Sequence, residues 1–251
     1  MKVHKWTLGL AAVGLVSLPS VMQAEEQLSS VQTALASTVI SGYVNAGVMW
    51  VPGTGNANPP GYAYNTADKQ DAFSLNAVKL SIEKPLDEAK WAAGYKVDLM
   101  FGPDANTLGT QSMLATGSSD FAVRQAYVAM RAPVGNGLDF KMGAFDTIVG
   151  YESHDAGNNP NYSRSYGYSI EPISHTGVLA SYQFSELVSA SAGIANTMGP
   201  MINDNANPPK AESYKTYMAS VAVTAPEDMG FLAGSTLYGG VVDGFDRGTV
   251  G

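Results

Sequence analysis

The residues to test first for chemistry are the three histidines. His4 lies in a basic N-terminal segment ahead of an apolar run, and neither His154 nor His175 has a Ser, Cys or carboxylate at the spacing that nucleophilic or acid–base catalysis needs. The chain has no cysteine, so it has neither a disulfide framework nor a thiolate metal site. The Gly-rich stretches GTGNANPPG and PVGNG lack the strand–loop–helix setting and the lysine of a phosphate loop. No catalytic residue, metal-ligand set or cofactor is assigned. The remaining chemistry is electrostatic. Lys79, Glu83, Lys96, Asp98, Arg131, Asp139 and Lys141 recur inside segments of alternating polarity. A second set, Glu152, Asp155, Arg164 and Glu171, lies among tyrosines in the stretch Tyr151 to Ser174. Mixed charge facing a water-filled lumen sets up a transverse field that orders polar solutes and tunes ion selectivity. A long loop with its own aromatics can fold on itself, and folded inward it narrows a pore.

The elements that must position these residues are strands. In WAAGYKVDLMF (91–101), Trp91, Ala93, Tyr95, Val97, Leu99 and Phe101 share one face, and Ala92, Gly94, Lys96, Asp98 and Met100 share the other. Side chains alternate across a strand, so the segment has one apolar and one polar face. Its ten steps span roughly 33 Å at ~3.3 Å each, or ~25 Å of height after tilting, with an aromatic at each end. About nine such segments follow one another: near 38–51, 71–84, 91–101, 120–132, 138–149, two around Val178–Phe184 and Val188–Ile194, one around Tyr217–Val223, and one near 231–243 whose phase the pattern leaves unassigned. In the second, Val78, Leu80 and Ile82 are outward, and Phe73 and Leu75 break that phase, which predicts a bulge or a strand end there. Short connections (PLDEAK, PVGNG, SE, APEDMG) alternate with long ones. Short turns at one rim, long loops at the other and alternating polarity between them are the signature of a transmembrane β-barrel. The expected fold is all-β, an antiparallel up-and-down transmembrane barrel. A soluble β-sandwich also alternates, but its loops do not sort by parity and its exterior is polar.

The N-terminus supports export. Lys2, His4 and Lys5 precede the apolar run WTLGLAAVGLV, and VMQA ends at Ala24, which reads as a signal peptide over 1–24. That run is too short for a spanning helix, which needs roughly 20 apolar residues. Residues 25–37 read as a periplasmic lead-in and 38–251 as barrel. With a net charge of −8, nucleic acid is excluded as the main partner.

The runs FKMGAFDTIVGYES, NNPNYSRSYGYSIEP, HTGVLASYQFSE and AYVAMRAPVGNGLDFKMG resemble the OmpL-like β-barrel porins of bacterial outer membranes. The resemblance covers most of the chain after the signal peptide. It implies an outer-membrane pore for small hydrophilic solutes, with no catalytic residues to transfer. The expected function is a passive, water-filled diffusion channel. Alternatives are a substrate-selective uptake channel and a plugged surface or adhesin barrel. Outer-membrane lipid, small hydrophilic solutes and a homotrimeric assembly are the expected partners. Nine strands is an odd number, bacterial single-chain barrels close with an even one, and the chain ends in GFDRGTVG without a terminal aromatic. Further hairpins beyond Gly251 are therefore expected.

Overall fold

The computed structural model describes residues 37–50, 69–110, 119–205 and 213–244. The stretches read as signal peptide (1–24) and lead-in (up to residue 36), parts of the first, second and fourth long loops, and residues 245–251 lie outside the described residues. Among the described residues, nine strands form one antiparallel sheet in which each pairs with its sequence neighbours. They are β1 (Val39–Met49), β2 (Ala72–Lys84), β3 (Ala93–Phe101), β4 (Phe121–Ala132), β5 (Leu138–Asp146), β6 (Ser174–Gln183), β7 (Val188–Ala195), β8 (Thr216–Thr224) and β9 (Thr236–Asp243). β1 and β9 are its two edges among the described residues. Two short helices, α1 (Pro103–Asn106) and α2 (Tyr166–Ile170), lie in the second and third long loops.

The two faces of the sheet differ as the alternation requires. Val44, Val48, Leu80, Val128, Met142, Val221 and Val223 are exposed on the outer face. Aromatics cluster at both of its rims. Trp50, Phe73, Phe101, Phe121 and Tyr217 stand at the long-loop ends of their strands, with the Phe101 and Phe121 rings 5.3 Å apart. Trp91, Tyr182 and Phe184 stand at the short-turn end, with Tyr182 and Phe184 edge-on at 4.9 Å. An aliphatic band between two aromatic girdles is what a lipid-facing surface presents. Buried residues such as Asp98, Met100, Phe145, Leu179 and Met218 occupy the opposite, inner face.

Two bulges adjust the phase. Asn45 pairs with Ala77 but Ala46 pairs with Leu75, so Asn76 is an extra residue on β2. The shift returns Phe73 and Leu75 to the outer face, where Phe73 is 91% exposed, as the phase break in the sequence predicts. The second bulge lies on β4. Asp98 pairs with Gln125 and Leu99 with Val123, leaving Arg124 as the extra residue. Both extra residues are buried.

β1 ends at Met49 instead of 51, and three further strand boundaries differ from the pattern reading for visible reasons. β3 starts at Ala93, because Trp91 adopts a left-handed φ of 60° that breaks the extended run, although its N–H still donates to the Arg131 carbonyl at the end of β4 (3.0 Å). β5 stops at Asp146 instead of 149. Thr147 N then donates to Ile173 O (3.1 Å), closing the base of the third loop, and Ile148 packs inward against Phe145, Leu179 and Met218. β9 starts at Thr236 instead of 231, because residues 225–235 form a longer connection containing a 3-10 turn at Gly230–Leu232, with positive φ at Gly230 and Gly234. Register with β8 assigns the β9 phase: Thr236, Tyr238, Gly240 and Val242 oppose inner-face residues of β8.

The short turns use the expected residues. In the β4–β5 turn Gly135 has φ 56° and lies against the Tyr182 hydroxyl, so a side chain there would be strained and would collide. Within β5, Gly143 has φ 135° and packs directly on the Ala126 carbonyl, where a Cβ has no room.

Candidate functional site

The inner faces of β2 to β5 bring the charged residues of the sequence into cross-strand pairs. Nearest the short turns, Arg131 donates Nε and NH2 to the two oxygens of Asp139 at 2.6 and 2.7 Å. This two-point geometry fixes both side chains and is strong for a hydrogen-bonded ion pair. One step further, Lys96 Nζ donates to Glu83 Oε2 at 3.1 Å. Deeper still, Lys79 Nζ is shared by two carboxylates, Asp98 at 3.2 Å and Asp155 at 2.6 Å. Asp98, fully buried, also accepts from Ser81 Oγ and from Gln125 Nε2 (3.1 Å). A buried carboxylate with a cation and two further donors is the satisfied arrangement that low-dielectric burial demands. Arg124, turned inward by its bulge, pairs with Asp146 at the end of β5.

Lys141 is on the same face but differs from the other cations. Its ammonium stands 5.0 Å from the Tyr127 ring centroid, and it pairs with no carboxylate among the described residues.

The third long loop, which joins β5 to β6, folds back over the first strands. Asp155 accepts from Tyr43 OH on β1 (2.9 Å) as well as from Lys79 on β2. Asn76 Nδ2, on the β2 bulge, donates to Tyr162 OH at 3.2 Å. His154 is buried, with Nε2 3.1 Å from Met100 Sδ on β3 and Nδ1 3.4 Å from Tyr168 OH on α2. Arg164 holds the loop together from within. It donates to the carbonyls of Tyr162 (2.8 Å) and His154 (2.9 Å) and stacks over Tyr168. Between loop and wall there is a cavity of about 20 Å³, lined by residues including Tyr43, Asn45, Met100, His154, Tyr162 and Arg164. That is room for about one water.

The four loop residues named from sequence therefore do not form one cluster. Asp155 reaches the strands. Arg164 braces the loop. Glu152 accepts from the N–H (3.0 Å) and hydroxyl of Ser165, the residue that caps α2. Glu171 stands beside Gly150 at the start of the loop, with no ion pair among the described residues. Two loop groups have displaced acidities. His154 is held well below its ordinary range by burial and then by Arg124, Arg164 and Lys79, so it is neutral at physiological pH. The Ser165 hydrogen bonds lower Glu152.

The residues missed in the sequence are Tyr43, Asn76, Arg124, Asp146 and His154. Arg124 left a readable signal. Phe121 and Val123 are out of phase with Ala126, Val128 and Met130, the same kind of break that marks the bulge on β2. His175 is structural. Its ring contacts Thr147 Oγ1 (3.1 Å) and Thr197 O (3.4 Å) at the base of the loop.

An antiparallel meander with an apolar outer face, an ion-paired inner face and a loop folded over it is porin architecture. Residues 37–249 match the family model described as "Putative beta-barrel porin-2, OmpL-like". The chain belongs to this porin family. No curated protein and no solved structure matches it. For a porin, the charged wall and the folded loop are the features that can act on a solute.

Proposed function

We propose that this porin is a passive, water-filled channel for small hydrophilic solutes and ions in a bacterial outer membrane, with no enzymatic activity, and that its third loop is the constriction. The observation that carries the reading is the docking of Asp155 on Tyr43 and Lys79. It ties a loop that leaves the sheet after β5 to the inner faces of β1 and β2, so the loop lies across the inner side of the wall. Outer-membrane lipid is the surround that suits the aliphatic band and its girdles. Lumen charge and loop-set size would together decide what passes.

A plugged barrel is the second reading. It is favoured by the apolar cluster of Phe145, Leu179, Ala195 and Met218 on the inner face, joined by Ile148 and Val242. Planar-bilayer recording of the full-length protein separates the two. A channel gives stepwise ohmic conductance, and deletion of residues 153 to 163 raises it and relaxes the size limit in liposome swelling. Silent bilayers containing folded, heat-modifiable protein would favour the plug.

A further inference from the structure

The charge balance along the inner wall is uneven, and the imbalance has an address. Lys79 is shared by two carboxylates, whereas Lys96, Arg124 and Arg131 each have one. Lys141 has none. The carboxylates whose fields reach Lys141 are Asp146, Glu83 and Asp139. Each is committed elsewhere, to Arg124, Lys96 and Arg131 respectively. Lys96 lies in the same neighbourhood and adds a second positive field. The Lys141 ammonium is not sealed from water, and neither is the Tyr127 hydroxyl, which makes no hydrogen bond among the described residues. A half-buried ammonium without a protein counter-charge draws its counter-ion from solution, because desolvation without compensation is costly.

We propose that Lys141 and Tyr127 form an anion-binding station on the lumen wall, taking a small singly charged anion such as chloride. The ammonium supplies the charge, the ring holds the lysine side chain in place from one side, and the phenol O–H is a second donor. The station rests on the porin reading and adds to it the class of solute that is retained. It sits among otherwise neutralised pairs, so a bound anion meets few competing cations and no free carboxylate from those pairs.

The test is bilayer recording of full-length wild type, Lys141→Gln, Lys141→Arg and Tyr127→Phe under a KCl gradient and over a range of symmetric KCl concentrations. Lys141→Gln should lower the chloride-to-potassium permeability ratio about fivefold, the effect of one unit charge at contact distance in water. It should also convert a saturating conductance–concentration curve into a linear one. Lys141→Arg should keep the wild-type ratio. Tyr127→Phe should weaken saturation while leaving the direction of selectivity unchanged. A conducting Lys141→Gln channel with the wild-type reversal potential overturns the station. So does a changed ratio with no saturation in the wild type, which would indicate a diffuse field without binding. A wild-type protein that folds and does not conduct overturns the porin reading instead.

Discussion

The inner face changes character where β5 gives way to β6. β2 to β5 carry Lys79, Glu83, Lys96, Asp98, Arg124, Arg131, Asp139, Lys141 and Asp146, whereas β6 to β8 contain no Asp, Glu, Lys or Arg. The charged half contains both bulges, and through them it gains Asn76 and Arg124 as inward polar groups. The neutral half is built from small residues. Ser181 and Ser191 share a 2.8 Å hydrogen bond, and Leu179 and Met218 pack with Phe145 into an apolar cluster. The third loop leaves at the seam between the halves, and the contacts of Asp155, His154 and Tyr162 fall on β1, β2 and β3. Buried polar groups are costly when half satisfied, so sensitivity to mutation should concentrate in the charged half.

The sharpest way to break that contrast is to delete one polar group from each half. Asp98→Ala leaves Lys79, Ser81 and Gln125 facing a buried gap, although Asp155 still contacts Lys79. Breaking a buried pair by removing one partner costs about 3–5 kcal/mol. Ser191→Ala removes one neutral hydrogen bond beside Ser181, worth about 1 kcal/mol. Urea midpoints of the heat-modifiable species in lipid vesicles should fall far more for Asp98→Ala. Equal shifts would mean that the charged half is not the more finely balanced one.

Most of this architecture was legible in the chain because a strand has a period of two. Once the apolar set of a segment is fixed, the opposite set faces inward, and so all seven strand residues from Lys79 to Lys141 lie on the inner face. The phase break at Phe73 and Leu75 marked one bulge. The equivalent break between Val123 and Ala126 marks the second bulge, which turns Arg124 inward. The apolar Phe231 and Leu232 extend the strand pattern back to 231, yet Gly230 and Gly234 bend the chain and pairing begins only at Thr236. The docking of the loop was not legible at all. Asp155 and Tyr43 are 112 residues apart, and no periodicity links a loop to the wall it lands on. Nor could the sequence show that Asp155 meets the strands while Glu152 and Glu171 stay within the loop.

A smaller effect sharpens the link between loop and wall. Asp155→Ala removes two contacts with the strands, those with Tyr43 and Lys79, while Lys79 keeps Asp98. Hydrogen bonds to a charged group are worth about 1.5–3 kcal/mol, enough to shift a docked loop substantially toward an undocked one. Mean single-channel conductance should rise, with faster loop-dependent flicker. Glu171→Gln should leave both unchanged, because Glu171 makes no ion pair among the described residues. If Glu171→Gln opens the channel as much as Asp155→Ala, docking on β1 and β2 is not what holds the loop.

The smallest effect expected is a pH dependence of docking, set by His154. Its docked ring faces Met100 from β3, Arg124 from β4, Lys79 from β2, and Arg164 and Tyr168 from within the loop, with Asp155 as its chain neighbour. Burial first, and the three cations next, hold it well below its ordinary range. An undocked, solvated His154 binds a proton near pH 6.5, whereas the docked one does not. Docking therefore has its full strength above about pH 6.5. Below that it weakens by roughly 1.4 kcal/mol per pH unit, until the docked ring itself protonates. Acid thus favours the undocked loop. Open dwell times should lengthen between pH 7.5 and 5.5 in wild type, and His154→Gln, which cannot take up the proton, should flatten the response over that interval. Dwell times in His154→Gln that follow the wild-type pH curve would place the titrating group elsewhere.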